Sequence, residues 1–191
     1  MAAWPLQPAS AELTNVRMRQ AKGFALIDLL FTCGLIGVLA IIAMPRMLLA
    51  RQSAGAASAI GSMRAINSSQ LTFALTCGGG FYAPKLTTLG TAPPGSDAPY
   101  ISANLGRTDT VIQSGYTIQL STTPYPGSPP TCNGLAVGQT GQGFKAAADP
   151  MDVENRRFFA LNSNGQIWED TNSMYAAIQE TGESPVGHVL R

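Results

Sequence analysis

The apolar and polar positions of this 191-residue chain fall into three regimes. From Leu29 to Pro45 the sequence reads LLFTCGLIGVLAIIAMP, seventeen residues without a charge. Running back to Phe24 adds one acid, Asp28, before Lys22 closes the stretch. At about 1.5 Å per residue, Phe24 to Pro45 covers roughly 33 Å, close to the thickness of a bilayer core. The pattern predicts a membrane-spanning helix, with a buried core helix as the alternative.

Beyond Pro45 the period stays helical but the apolar positions narrow to a stripe. Ala59, Met63, Ile66, Phe73 and Cys77 recur at steps of three and four, with Gln70 as the one polar member and Arg64 on another face. Gly78-Gly79-Gly80 supplies the unrestricted φ that a helix end needs. A continuous helix from Phe24 to about Thr76 would be roughly 80 Å long. No domain of this size hides such a helix, so one half needs a membrane or a filament core and the other half a head to pack on.

From residue 81 the pattern breaks into short elements. One helical turn is expected near Pro84, with Leu86 and Leu89 inward, and residues 91–99 read as loop. Ser114 to Thr122 alternates Tyr116, Ile118 and Leu120 on one face, a strand signal. The proline-rich TPYPGSPPT reads as loop, and a further strand is expected near Gly143 to Ala148. Arg157 to Leu161, a turn at Asn162 to Gly165, and Gln166 to Glu169 predict a hairpin. The fold class is therefore α+β: a long N-terminal helix, half membrane-spanning and half amphipathic, packed on a small antiparallel sheet.

Composition sharpens this picture. Only 12% of residues are charged and the formal net charge is +1, against about 25% charged in an ordinary soluble domain. Near-neutral charge argues against nucleic acid as a partner, which clustered Lys and Arg would bind. The deficit does not come from the apolar helix, because residues 51–191 hold 17 charged side chains among 141. That region instead carries 42 Ser, Thr, Asn and Gln and 17 glycines, a turn-rich, uncharged-polar surface. Three cysteines and one histidine leave little for a metal or histidine-based centre. His188 has no sequence-visible partner and is expected to be exposed. Arg156-Arg157 is too small for a nucleic-acid footprint, and no Ser/His/Asp set, nucleophile elbow, P-loop or dinucleotide fingerprint occurs.

The front of the chain carries the most specific signal. Residues 1–23 end in a basic tract with Arg17, Arg19 and Lys22. A secretory signal peptide would show a shorter leader and a small-residue cleavage site after the apolar run, and IIAMPRMLLARQ offers none. Arg46, Arg51 and Arg64 follow the span, so the flanking charges do not orient it. An acid just inside an apolar span is costly and points to a role or a pairing partner. The run Lys22-Gly23-Phe24-Ala25-Leu26-Ile27-Asp28-Leu29-Leu30 resembles the cleavage and methylation motif of type IV prepilins and pseudopilins. Basic leader, Gly, Phe, aliphatics, an acid as fifth residue and the apolar run all fall in register. The GYTIQL strand and FFALNSNGQIW hairpin are similar, more weakly, to pilin-like heads.

The resemblance implies that a prepilin peptidase cuts between Gly23 and Phe24 and methylates the new Phe24 amine. It implies that Asp28 neutralises that amine in a neighbouring subunit and so sets axial register, offsetting two otherwise unpaired charges. The family's usual acid is Glu, one methylene longer. Gly37 and Pro45 match positions that bracket a segment able to unwind in the assembled fibre; packing within a membrane accounts for such residues equally well. The implied layout is leader 1–23, transmembrane and assembly helix 24–50, amphipathic half-helix 51–77 and β-rich head 78–191. The expected partners are further copies in a helical filament, the peptidase, an inner-membrane assembly platform, and the membrane before assembly, with the head periplasmic and then at the cell surface.

With the head outside the cytoplasm, Cys77 and Cys132 are the natural disulfide pair and Cys33 a thiol in the membrane helix; free buried thiols are the alternative. A related family, the major pseudopilins of type II secretion, binds calcium. Asp149, Asp152, Glu154 and Asp170 do not match a defined calcium loop and are read as structural, with no cofactor and no metal expected. The function expected is a structural subunit of a type IV pilus-like surface filament. Two readings stand beside it: a type II secretion pseudopilin, and a membrane-tethered minor pilin for adhesion or DNA uptake. No enzyme reading has a residue set behind it.

Overall fold

The computed structural model describes residues 26–190. Helix α1 spans Leu26–Thr76, and the chain divides into two compact units between Met44 and Pro45. In the first unit α1 is apolar on every face, and its side chains from Leu26 to Leu39 are all exposed. The window that makes α1 long and apolar enough to cross a membrane is not buried within the chain at all.

In the second unit the narrowed stripe finds its cover. Ala59, Met63, Ile66, Phe73 and Cys77 are buried, together with Ala56, while Arg64 is exposed. Gln70 is fully buried among them. Its side-chain amide donates to the Ala83 carbonyl at 2.9 Å and its oxygen accepts from the Ala83 N–H at 2.8 Å. The polar break in the stripe thus ties the returning chain to the helix, with both ends of the amide satisfied. The triple glycine ends α1 for a steric reason. A Cβ at Gly78 would run into the Phe81 carbonyl and the Phe73 ring, and Gly79 and Gly80 sit at φ of 60° and 92°.

After α1 come two short helices, α2 (Leu86–Leu89) and α3 (Ala103–Gly106). Leu86 and Leu89 point inward as the sequence predicts. Six strands follow: β1 Thr110–Gln113, β2 Tyr116–Ser121, β3 Lys145–Pro150, β4 Phe158–Asn162, β5 Ile167–Asp170 and β6 His188–Val189. Each pairs antiparallel with the next, so the order is β1-β2-β3-β4-β5-β6. Tyr116, Ile118 and Leu120 of β2 join Ala146 and Ala148 of β3, Phe159 and Leu161 of β4 and Ile167 of β5 in one core with the α1 stripe.

Several expectations are corrected. The expected strand from Ser114 begins at Tyr116, because Ser114 (φ 52°) and Gly115 (φ 81°) form a two-residue turn that pairs β2 with β1. The strand expected near Gly143 runs over Lys145–Pro150. The expected hairpin forms, but one residue further along, as β4 over Phe158–Asn162 and β5 over Ile167–Asp170, with Leu161 opposite Ile167. The sheet is also covered on its other face: Ala147, Ala160 and Trp168 pack with Met174 and Ile178 in a second buried cluster. That explains the alanine-rich centre of β3, which is buried on both faces and has room only for small side chains.

Candidate functional site

Asp28 lies in the first turn of α1, exposed among exposed Leu26, Ile27, Leu29 and Leu30. Gly23 and Phe24, the expected cleavage and methylation positions, and the basic tract before them lie outside the described residues. The one hydroxyl in this apolar stretch, Thr32, donates back to the Leu29 carbonyl at 2.9 Å, so the helix satisfies its own polar side chain. Gly37 has nothing within 4 Å of the position a Cβ would take, and neither has Gly34. No contact among the described residues therefore demands glycine at either place. Gly37 and Pro45 both lie within the α-helical span of α1. Pro45 brings no N–H to that ladder, which leaves the Ile41 carbonyl without its usual donor.

The exposed side of α1 in the second unit is patterned too. Ala54, Ala57, Gly61, Arg64, Ser68, Leu71 and Leu75 recur at alternating steps of three and four and are all exposed. This second stripe lies away from the buried one and is rich in small side chains, which allow close approach of another helix. Its signal was present in the sequence as spacing, but the buried stripe accounted for the helical period first.

Cys77 and Cys132 form a disulfide, with their Cα atoms 4.9 Å apart and a sequence separation of 55. It joins the end of α1 to the loop after the proline-rich segment, and the Cys132 N–H donates to the Cys77 carbonyl. Cys33 is a free, exposed thiol.

The polar groups of the head are mostly paired. Arg157 binds Glu169 through two nitrogens at 2.6 and 3.1 Å, a fork that raises the Arg157 pKa. Lys85 lies 2.9 Å from Asp109, which also accepts from the Thr87 hydroxyl at 2.5 Å. The Thr87 bond first, then Lys85, lowers the Asp109 pKa. Burial raises that of Asp149, against the opposing effect of a 2.6 Å bond from the Ser173 hydroxyl, and its other oxygen is buried without a partner among the described residues. Asp152 accepts from the Gln52 side chain at 3.1 Å and from the Glu154 N–H at 3.0 Å. No group of three or more His, Cys, Asp or Glu able to hold a metal ion is found among the described residues. His188, expected in a polar tail, is exposed but belongs to β6, opposite Glu169.

Among the described residues the arrangement presents an apolar helix without cover, a patterned helix face, and a cross-linked head whose sheet has two edges. The chain matches no protein-family profile, no curated protein and no solved structure.

Proposed function

We propose that the chain is a type IV pilin-like subunit that polymerises through α1 into a surface filament after its leader is removed. The observation that carries this reading is the register of Lys22, Gly23, Phe24 and Asp28 with the uncharged run that begins at Leu29. Four separate features would have to coincide by chance for the motif to be accidental. The exposed apolar surface of α1 supports it. Phe31 is 69% and Ile41 74% exposed, and burying such side chains is worth about 1.5–3 kcal/mol each, so the first unit gains by entering lipid or a bundle of its own copies. Phe24 would present a methylated amine, Asp28 of the neighbour would neutralise it, and Gly37 and Pro45 would mark where the helix loosens on assembly. The disulfide suits a head that works outside the cytoplasm.

Mass spectrometry of the native N-terminus tests the reading: N-methyl-Phe24 is the expected first residue, and retention of residues 1–23 overturns it. Asp28→Ala is expected to abolish filaments while leaving membrane insertion intact. Unchanged filaments would remove Asp28 from its assembly role.

A further inference from the structure

The sheet ends in two open edges. At β1 the two-residue turn closes Gln113 and Tyr116 as a hydrogen-bonded pair, so in the alternating antiparallel ladder Val111 and Ile118 also bond and Ile112 turns its N–H and C=O outward. Thr110 turns outward as well, but its carbonyl already accepts from the Thr108 hydroxyl at 2.7 Å. The main-chain groups of Ile112 have no hydrogen-bond partner among the described residues. Outside β1 runs a trough of about 530 Å³ lined by Asn104, Arg107, Thr110, Ile112, Gln113 and Ser114. The Gln113 side-chain oxygen is buried without a hydrogen-bond partner among the described residues.

At the opposite edge the Leu190 N–H donates to the Ile167 carbonyl at 2.8 Å. By the same alternation Val189, opposite Trp168, turns its N–H and C=O away from β5. Ile112 pairs with Thr117 and Val189 with Trp168, which places both side chains on the same face of the sheet. Both are β-branched and exposed, at 64% and 43%.

We propose that these edges join between copies: β6 of one head adds to β1 of the next, with Val189 opposite Ile112, so that one antiparallel sheet continues from subunit to subunit. The occupant of the β1 edge is thus a second copy of this chain. The strand count is the reason. In an antiparallel meander of six strands the first and last run in opposite senses. A copy displaced along the sheet without being turned over therefore brings β6 to β1 in the antiparallel sense. Such a contact is heterologous and leaves a free edge at each end, as an open-ended assembly requires. The rival two-fold pairing of β1 with β1 would use up both β1 edges in a closed pair and would not by itself propagate. The inference rests on the reading of the chain as a polymerising subunit.

The test uses the full chain carrying Cys33→Ser, with Ile112→Cys and Val189→Cys singly and together, oxidised in filament preparations and resolved without reductant. Directly opposed residues across a hydrogen-bonded pair have Cα atoms about 5.5 Å apart, within disulfide reach. The double variant is expected to give a ladder of dimer, trimer and higher species, and each single variant monomer alone. Dimers from Ile112→Cys by itself would overturn the proposal in favour of two-fold pairing. Filaments without a ladder would overturn it and leave the filament reading standing, whereas no filament from the unsubstituted chain would remove both. Ile112→Lys, a charge at an exposed edge position, is expected to lower filament yield at least about tenfold with Phe24 methylation and head melting temperature unchanged. An unchanged yield counts against the proposal as much as the missing ladder does.

Discussion

The two parts of α1 belong to one helix and meet opposite fates. Before Met44 the large apolar side chains stand in the open, Ile27 at 74% and Phe31 at 69% exposure; after Pro45, Met63, Ile66 and Phe73 are at 0%. The difference lies in how many apolar side chains each part carries and in how they are arranged. A helix that is apolar all round cannot be covered by one sheet, whereas a helix apolar along one stripe can. The first part finds no cover among the described residues, and the second carries its cover in the sequence that follows.

The sharpest way to break this contrast is to remove one aromatic ring from each part. Phe73→Ala takes away a buried ring that meets Tyr100 edge-on at 5.4 Å between centroids. It is expected to destabilise the head by about 3–5 kcal/mol, the usual cost of such a cavity. Phe31→Ala is expected to leave head unfolding unchanged and to weaken partition into detergent or lipid instead. Thermal and denaturant melts of the full chain in detergent, alongside a partition assay, read both. Equal destabilisation by the two changes would show that the parts share one core.

Reduction of the disulfide between Cys77 and Cys132 comes next. Releasing a 55-residue loop is expected to cost the head roughly 4 kcal/mol by the entropy of the unfolded chain. The melt should shift down under reductant in the native protein and not in a Cys77→Ala, Cys132→Ala variant. A melt indifferent to reductant would mean that the bridge constrains nothing that unfolding releases.

A smaller effect is expected from Gln70→Leu. It restores the apolar stripe that the sequence interrupts, yet it leaves the Ala83 N–H and carbonyl buried without partners. The loss should be about 1–3 kcal/mol, since an unsatisfied buried group costs more than a bond contributes. Stabilisation would show that the break in the stripe is a defect and that its two hydrogen bonds contribute little.

Gln70 also shows how far the sequence can be read. Local periodicity exposed the helix, its stripe, the inward Leu86 and Leu89, the alternation of Tyr116, Ile118 and Leu120, and the hairpin of β4 and β5. Each of those signals lies within a few residues of itself. What stayed hidden depended on distant pairing. Thr110–Gln113 has too little alternation to announce a strand and becomes β1 because a turn at Ser114-Gly115 folds it onto β2. His188–Val189 is two residues long and becomes β6 only by lying beside β5. The second layer over Ala147 and Trp168 comes from Met174 and Ile178, in a stretch whose polar composition concealed it. The open sheet edges were invisible for the same reason, because an edge exists only once the order of strands is known.

The finest separation between the parts of the molecule is electrostatic, and it lies within the head. Burial raises the Asp149 pKa above the ordinary aspartate value, while the Thr87 hydroxyl and Lys85 lower that of Asp109. The signs of their linkage are therefore opposite. For Asp149 the protonated form is favoured on folding. Its contribution is fully present below the ordinary value and is lost as pH rises through the raised native one, so near neutrality the head carries the cost of a half-buried charge. Asp149→Asn is expected to melt a few degrees higher than the native chain at pH 7, with the gap closing as pH falls to the ordinary aspartate range. Asp109→Asn should do the reverse. It should melt lower at pH 7, because the paired carboxylate stabilises the fold above the ordinary value, and the deficit should fade as pH falls through the lowered native one. Comparing each variant with the native chain at the same pH cancels the titration of every other carboxylate. A gap for Asp149→Asn that stayed constant with pH would trace the effect to shape at the Ser173 contact rather than to charge. A gap of the opposite sign would mean that the buried oxygen has a partner, and that the ionised form is the one this corner of the sheet is built to hold.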